Sequence, residues 1–127
     1  MTDTAGLGSG PGRALVALYG VFALAAGARA AVQIATRFAE APLAYALSAF
    51  AALVYALLTV ALVRGARRLA LVSLFIELAG VLVIGTASLL WPAAFPDETV
   101  WSGYGKGYLF IPLVLPLVGL YWLWRRR

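Results

Sequence analysis

Short connections carrying charges, glycines or prolines divide the chain into four long apolar stretches, and their length is what most limits its fold. They run over about 14–36, 43–63, 69–90 and 108–124. A helix rises 1.5 Å per residue, so roughly 20 residues cross a hydrocarbon layer about 30 Å thick. The first three stretches are long enough to cross with some tilt. The fourth has 17 residues, near the lower limit, and holds Pro112 and Pro116. Membrane helices tolerate proline where neighbours re-satisfy the backbone, so it reads as a kinked span. Open strands cannot cross a bilayer, and these segments are too few and too apolar for a barrel.

Composition closes the alternative of a water-soluble domain. Of the 127 residues, 64% are hydrophobic and 12% charged. Soluble domains have about 45–50% and about 25%, and a chain this small cannot bury the excess. The prediction is an all-α, four-transmembrane-helix bundle: one membrane domain over 13–127, preceded by a flexible Gly/Ser/Thr-rich tail over 1–12.

Arg13, Arg64, Arg67, Arg68 and Arg125, Arg126 and Arg127 fall on one side of such a bundle; Arg37 and Lys106 lie on the other, with Glu40, Asp97 and Glu98. The positive-inside bias therefore predicts both termini cytoplasmic, in a multi-pass protein of the cell membrane. The net charge of +5 is mostly this bias plus attraction to an anionic inner leaflet. The bilayer is thus the expected partner, with no role for nucleic acid. Ala28-Arg29-Ala30 has the outline of a signal-peptide cleavage site. The apolar run continues to Ile34, which favours an uncleaved first span.

Cysteine and histidine are absent. That excludes disulfides, thiolate metal sites, a thiol nucleophile and the commonest general base. No catalytic, cofactor or metal site is expected, and no enzyme.

Glu77 is the most informative residue. It lies nine positions past Arg68, about 13 Å along a helix. An acid at that depth cannot snorkel, so it faces protein or water, as packing glue or as a proton or cation site. Tyr55, nine positions before Arg64, has the same depth and is the expected partner. The carbonyl freed by Pro116 is another candidate. Arg29, Gln33 and Arg37 are spaced by four and read as a polar stripe leaving the membrane. Ser48 is a candidate contact for Arg29, while an Arg29–Glu77 ion pair would have to span about 10 Å of depth.

Two ridges of small residues, Ala23, Gly27, Ala31, Ala35 and Ala44, Ser48, Ala52, Ala56, have helix-contact spacing. The first lies nearly opposite the Arg29 stripe. If it packs inside, the arginines face outward, which suggests a homo-oligomer or a larger membrane complex. Trp91, Phe95, Trp101, Tyr104 and Tyr108 crowd the connection before the fourth stretch. They read as an outer interfacial belt, with Trp101 and Tyr104 as candidate outer-loop contacts. Gly103-Tyr104-Gly105 echoes a potassium filter, but no pore helix precedes it. Tyr121, Trp122 and Trp124 before the arginines read as an inner-interface anchor.

The stretch Phe95-Pro96-Asp97-Glu98-Thr99-Val100-Trp101-Ser102-Gly103-Tyr104-Gly105 runs on into Phe110-Ile111-Pro112-Leu113-Val114-Leu115-Pro116. With Glu77-Leu78-Ala79-Gly80 upstream, it resembles a group of small actinobacterial integral membrane proteins. The resemblance covers most of the chain and implies no activity. Small multidrug exporters also have four helices and one membrane glutamate, but theirs sits in the first helix. Fluoride channels match in length without their glycine-rich signature appearing here. The expected function is a non-catalytic accessory or scaffold subunit. The competing expectation is a small proton-coupled transporter using Glu77.

Overall fold

The computed structural model describes residues 10–96 and 99–125, and every regular element among them is helical. We label the long helices α1 (Gly10–Arg37), α2 (Pro42–Arg64), α3 (Arg67–Leu90) and α4 (Ile111–Arg125). Short 3-10 turns occupy Phe38–Glu40, Pro92–Ala94 and Ser102–Tyr108. Helices α1, α2 and α3 are each long and apolar enough to cross a membrane. A fourth crossing exists if Ser102–Tyr108 and α4, bent by 97° at their junction, count as one span.

Each helix starts earlier than its apolar stretch, except the last. Helix α1 already includes Gly10–Gly12, assigned above to the tail, because Pro11 fits a first helical turn that needs no N–H there. The remainder of that tail, 1–9, lies outside the described residues. At the other end, a continuous helix from Tyr108 is not formed. Leu109 and Phe110 have φ of 59° and 61°, a left-handed break, and α4 begins only at Ile111. Pro112 then sits in the first turn, where its missing N–H costs nothing.

The helices bury faces rather than whole surfaces. On α1 the buried stripe is Leu15, Tyr19, Phe22, Ala26, Ala30 and Gln33, at spacings of three and four. It packs along α2, whose buried face includes Tyr45, Ser48, Ala51, Tyr55, Leu58 and Leu62. The outward faces are just as apolar; Leu24 is 78% exposed and Val83 62%. That is the surface expected to meet lipid. The Ala23–Ala35 ridge is only half used: Gly27 faces Ala52, which a Cβ added there would meet at 3.9 Å, while Ala31 and Ala35 are exposed. Larger residues, Phe22 one position before Ala23 and Tyr19 four before it, set the seam instead. The second ridge likewise buries Ala44 and Ser48 but leaves Ala56 exposed.

Gly65, in the left-handed region, ends α2 and turns the chain into α3. Arg67 then reaches across to α4, where its Nη1 donates to the Leu123 carbonyl at 2.7 Å. A cation placed on the last carbonyls of a helix satisfies an orphan acceptor and the helix dipole together. The contact of Gly119 with Leu74 sets the α3–α4 register. Counting three residues along each antiparallel helix brings Pro116 level with Glu77.

Candidate functional site

Glu77 is 0% exposed. Its Oε1 accepts a 2.7 Å hydrogen bond from the Tyr19 hydroxyl, joining α3 to α1. Its Oε2 has no hydrogen-bond partner among the described residues. A carboxyl so placed is costly as a bare charge, so compensation must come from a proton or a bound cation.

The expected Glu77–Tyr55 bond is therefore replaced. Tyr55 is fully buried in α2, its ring tilted against that of Tyr19 with centroids 6.0 Å apart. Its hydroxyl oxygen instead accepts the Trp101 indole N–H at 2.9 Å. Tyr19 was missed because depth alone chose Tyr55. Past Arg13, Tyr19 is the one polar side chain in the first half of α1, six positions on, about 9 Å in and within a turn of the Glu77 level.

Trp101 is the larger correction. It is 1% exposed, not part of an interfacial belt. Its ring lies on Gly80, where an added Cβ would come within 2.5 Å of it, and meets Phe50 and Tyr55 edge-on. Gly80 is ten residues before the end of α3, so the indole reaches about 15 Å below that end. The segment 99–108 re-enters the bundle.

Local hydrogen bonds explain how. The Thr99 N–H donates to Ser102 Oγ at 2.9 Å, and the Trp101 N–H to Thr99 Oγ1 at 3.0 Å, so two hydroxyls close the turn that presents the indole. Gly103, Tyr104 and Gly105 follow with φ of 58°, 62° and 86°, a single left-handed turn that two glycines make affordable. Tyr104 seats on Gly85 and shares a 2.8 Å hydrogen bond with Thr86. The echo of a potassium filter ends here. The Trp101, Gly105 and Lys106 carbonyls accept the turn bonds of Tyr104, Phe110 and Leu109 and do not line a pore.

Arg29 is exposed, and its Nη1 donates to the Tyr108 hydroxyl at 3.0 Å, in place of the expected contacts with Ser48 or Glu77. Gln33, one turn on, is 2% exposed, so the stripe of Arg29, Gln33 and Arg37 divides into a buried amide and two exposed cations. Phe22 links the two regions, touching Tyr55 and Tyr108 at centroid distances of 5.7 and 5.6 Å. Trp91 stays at the rim, 63% exposed. Asp97 and Glu98 lie outside the described residues. The terminal anchor is partly visible, with Arg125 bonded to the Tyr121 hydroxyl at 3.0 Å.

Fold and site together define an all-helical bundle with membrane-length helices, a buried carboxyl and a re-entrant aromatic segment. Neither a known protein family, nor a curated protein, nor a solved structure matches this chain.

Proposed function

We propose that this chain is a multi-pass protein of the cell membrane, with both termini cytoplasmic, acting as a non-catalytic accessory or scaffold subunit. The observation that supports this most is that its central polar groups bond between elements. The fully buried Glu77 carboxyl is tied to Tyr19, and Tyr55 to Trp101, so one bond joins α3 to α1 and the other joins the re-entrant segment to α2. Such bonds act as packing glue between membrane helices. The resemblance of 95–116 to small actinobacterial membrane proteins agrees with the reading and adds no activity. Tagged protein solubilised from native membranes is expected to carry a second copy or a membrane partner in fixed ratio. Recovery as a lone monomer would contradict the proposal.

Topology has its own test. Cysteines introduced singly by Ala39→Cys, Ala66→Cys and Ala93→Cys should react with an impermeant reagent from outside intact cells at the first and third positions only. Ala39 and Ala93 are exposed, whereas Ser102 in the same connection is buried and unsuitable. Reaction of the Ala66→Cys thiol alone would invert the orientation.

A second reading, a small proton-coupled transporter, is favoured by the unpartnered Glu77 Oε2. If Glu77→Gln abolishes a measured proton-coupled flux while stability is retained, this reading displaces the first.

A further inference from the structure

A pocket of about 110 Å³ opens where α3 ends, lined by Ser88, Pro92, Phe95, Ser102, Gly103 and Lys106 among others. Ser102 adjoins Trp101 in sequence. Beyond the Trp101 ring lie Gly80 and the Tyr55 hydroxyl, and Glu77 is one helical turn further along α3. Between that end of α3 and the carboxyl, the rings of Tyr104 on Gly85 and Trp101 on Gly80, both carried by one segment, cover the inner face of α3. The segment bearing them is tied to the helices by the side-chain hydrogen bonds of Trp101 to Tyr55, Tyr104 to Thr86, Arg29 to Tyr108 and the Gly103 N–H to Ser88 Oγ at 2.9 Å, besides the packing of its rings. Its backbone is also strained. Tyr104, Leu109 and Phe110 keep positive φ without being glycine, a conformation that persists only while surrounding packing enforces it.

We propose that Thr99–Tyr108 is a gate, with Trp101 the stopper between this pocket and Glu77. The left-handed turns at 103–105 and 109–110 are its two hinges. Undocking Trp101 would relieve strain at both, leave the helices in place, and admit water or a small polar solute to the carboxyl. The gate rests on the second functional reading, in which Glu77 is reached from outside the bundle. Its test measures access rather than flux, so each can fail alone.

The chain has no cysteine. A single Ser73→Cys thiol, one turn before Glu77 on the buried face of α3, reports access beyond the stopper and leaves Glu77 intact. An Ala61→Cys thiol, buried in α2, reports general loosening. The full chain in detergent is reacted with a small charged methanethiosulfonate. Trp101→Ala should speed reaction of the Ser73→Cys thiol on the order of tenfold, because reactivity follows the population of the open form. The Ala61→Cys thiol should stay slow. Tyr55→Phe, which removes only the indole's acceptor, should act in the same direction to a smaller degree, and it serves if Trp101→Ala does not fold. An unchanged Ser73→Cys rate in these variants, or parallel acceleration of both thiols, would overturn the gate. Gated thiol access without flux would keep the gate and remove the transport reading; flux without gated access would do the reverse.

Discussion

Gly80→Ala is expected to drive Trp101 out of the bundle. The added methyl would stand 2.5–2.9 Å from three atoms of the indole six-membered ring, closer than any carbon pair tolerates. The ring cannot slide aside, since Tyr55 and Phe50 hold its edges and Tyr55 its N–H. Overpacking a filled core costs the docked state about 1–3 kcal/mol, while undocking forfeits a buried hydrogen bond worth roughly 1. The overpacking, added to the backbone strain already present in the segment, tips the balance towards the undocked ring. In protein with Trp91, Trp122 and Trp124 changed to Phe, the emission of Trp101 should shift to the red. Gly20→Ala, whose nearest neighbour would be Thr59 at 3.8 Å, should leave it unchanged.

The second large effect belongs to Glu77. Glu77→Gln keeps an acceptor for the Tyr19 hydroxyl and should be tolerated for stability. Glu77→Leu leaves that hydroxyl buried without a partner, at a cost of about 1–3 kcal/mol. Thermal unfolding in detergent should show the difference. Adding Tyr19→Phe to Glu77→Leu should recover part of the loss, because removing both partners leaves no orphan. No recovery would mean that Glu77 is held by something other than Tyr19.

These predictions differ from what the sequence suggests, and the reasons are physical. Helix count and approximate limits were legible because runs of apolar residues between charged connections report span length directly. The burial of Glu77 was legible too, from its distance to Arg68. Which tyrosine it meets was not, since helix rise gives depth but not azimuth. Tyr19 and Tyr55 lie at similar levels, and only the seam of Tyr19 and Phe22 against α2 turns Tyr19 towards α3.

The re-entrant segment was hidden for a different reason. Tryptophan at a membrane edge suits its amphipathic ring, so Trp101 and Trp91 look alike in composition. What separates them is tertiary: Gly80 and Gly85 leave two flat seats on α3, into which Trp101 and Tyr104 fit, Trp101 just before a left-handed turn and Tyr104 within it. In sequence those glycines read only as small residues of a membrane helix. Arg29 was misplaced similarly, as its partner Tyr108 approaches α1 only because the chain returns to the bundle before α4.

The re-entrant segment and the gate both require Trp101 to lie deep among the helices. Brominated-lipid quenching of Trp101, with the other three tryptophans changed to Phe, measures that depth directly. The predicted result is strongest quenching by mid-chain bromines, which come nearest the indole beside the lipid-exposed Phe50, with little quenching by aqueous acrylamide. Strongest quenching by bromines near the headgroups, together with efficient acrylamide quenching, would contradict it.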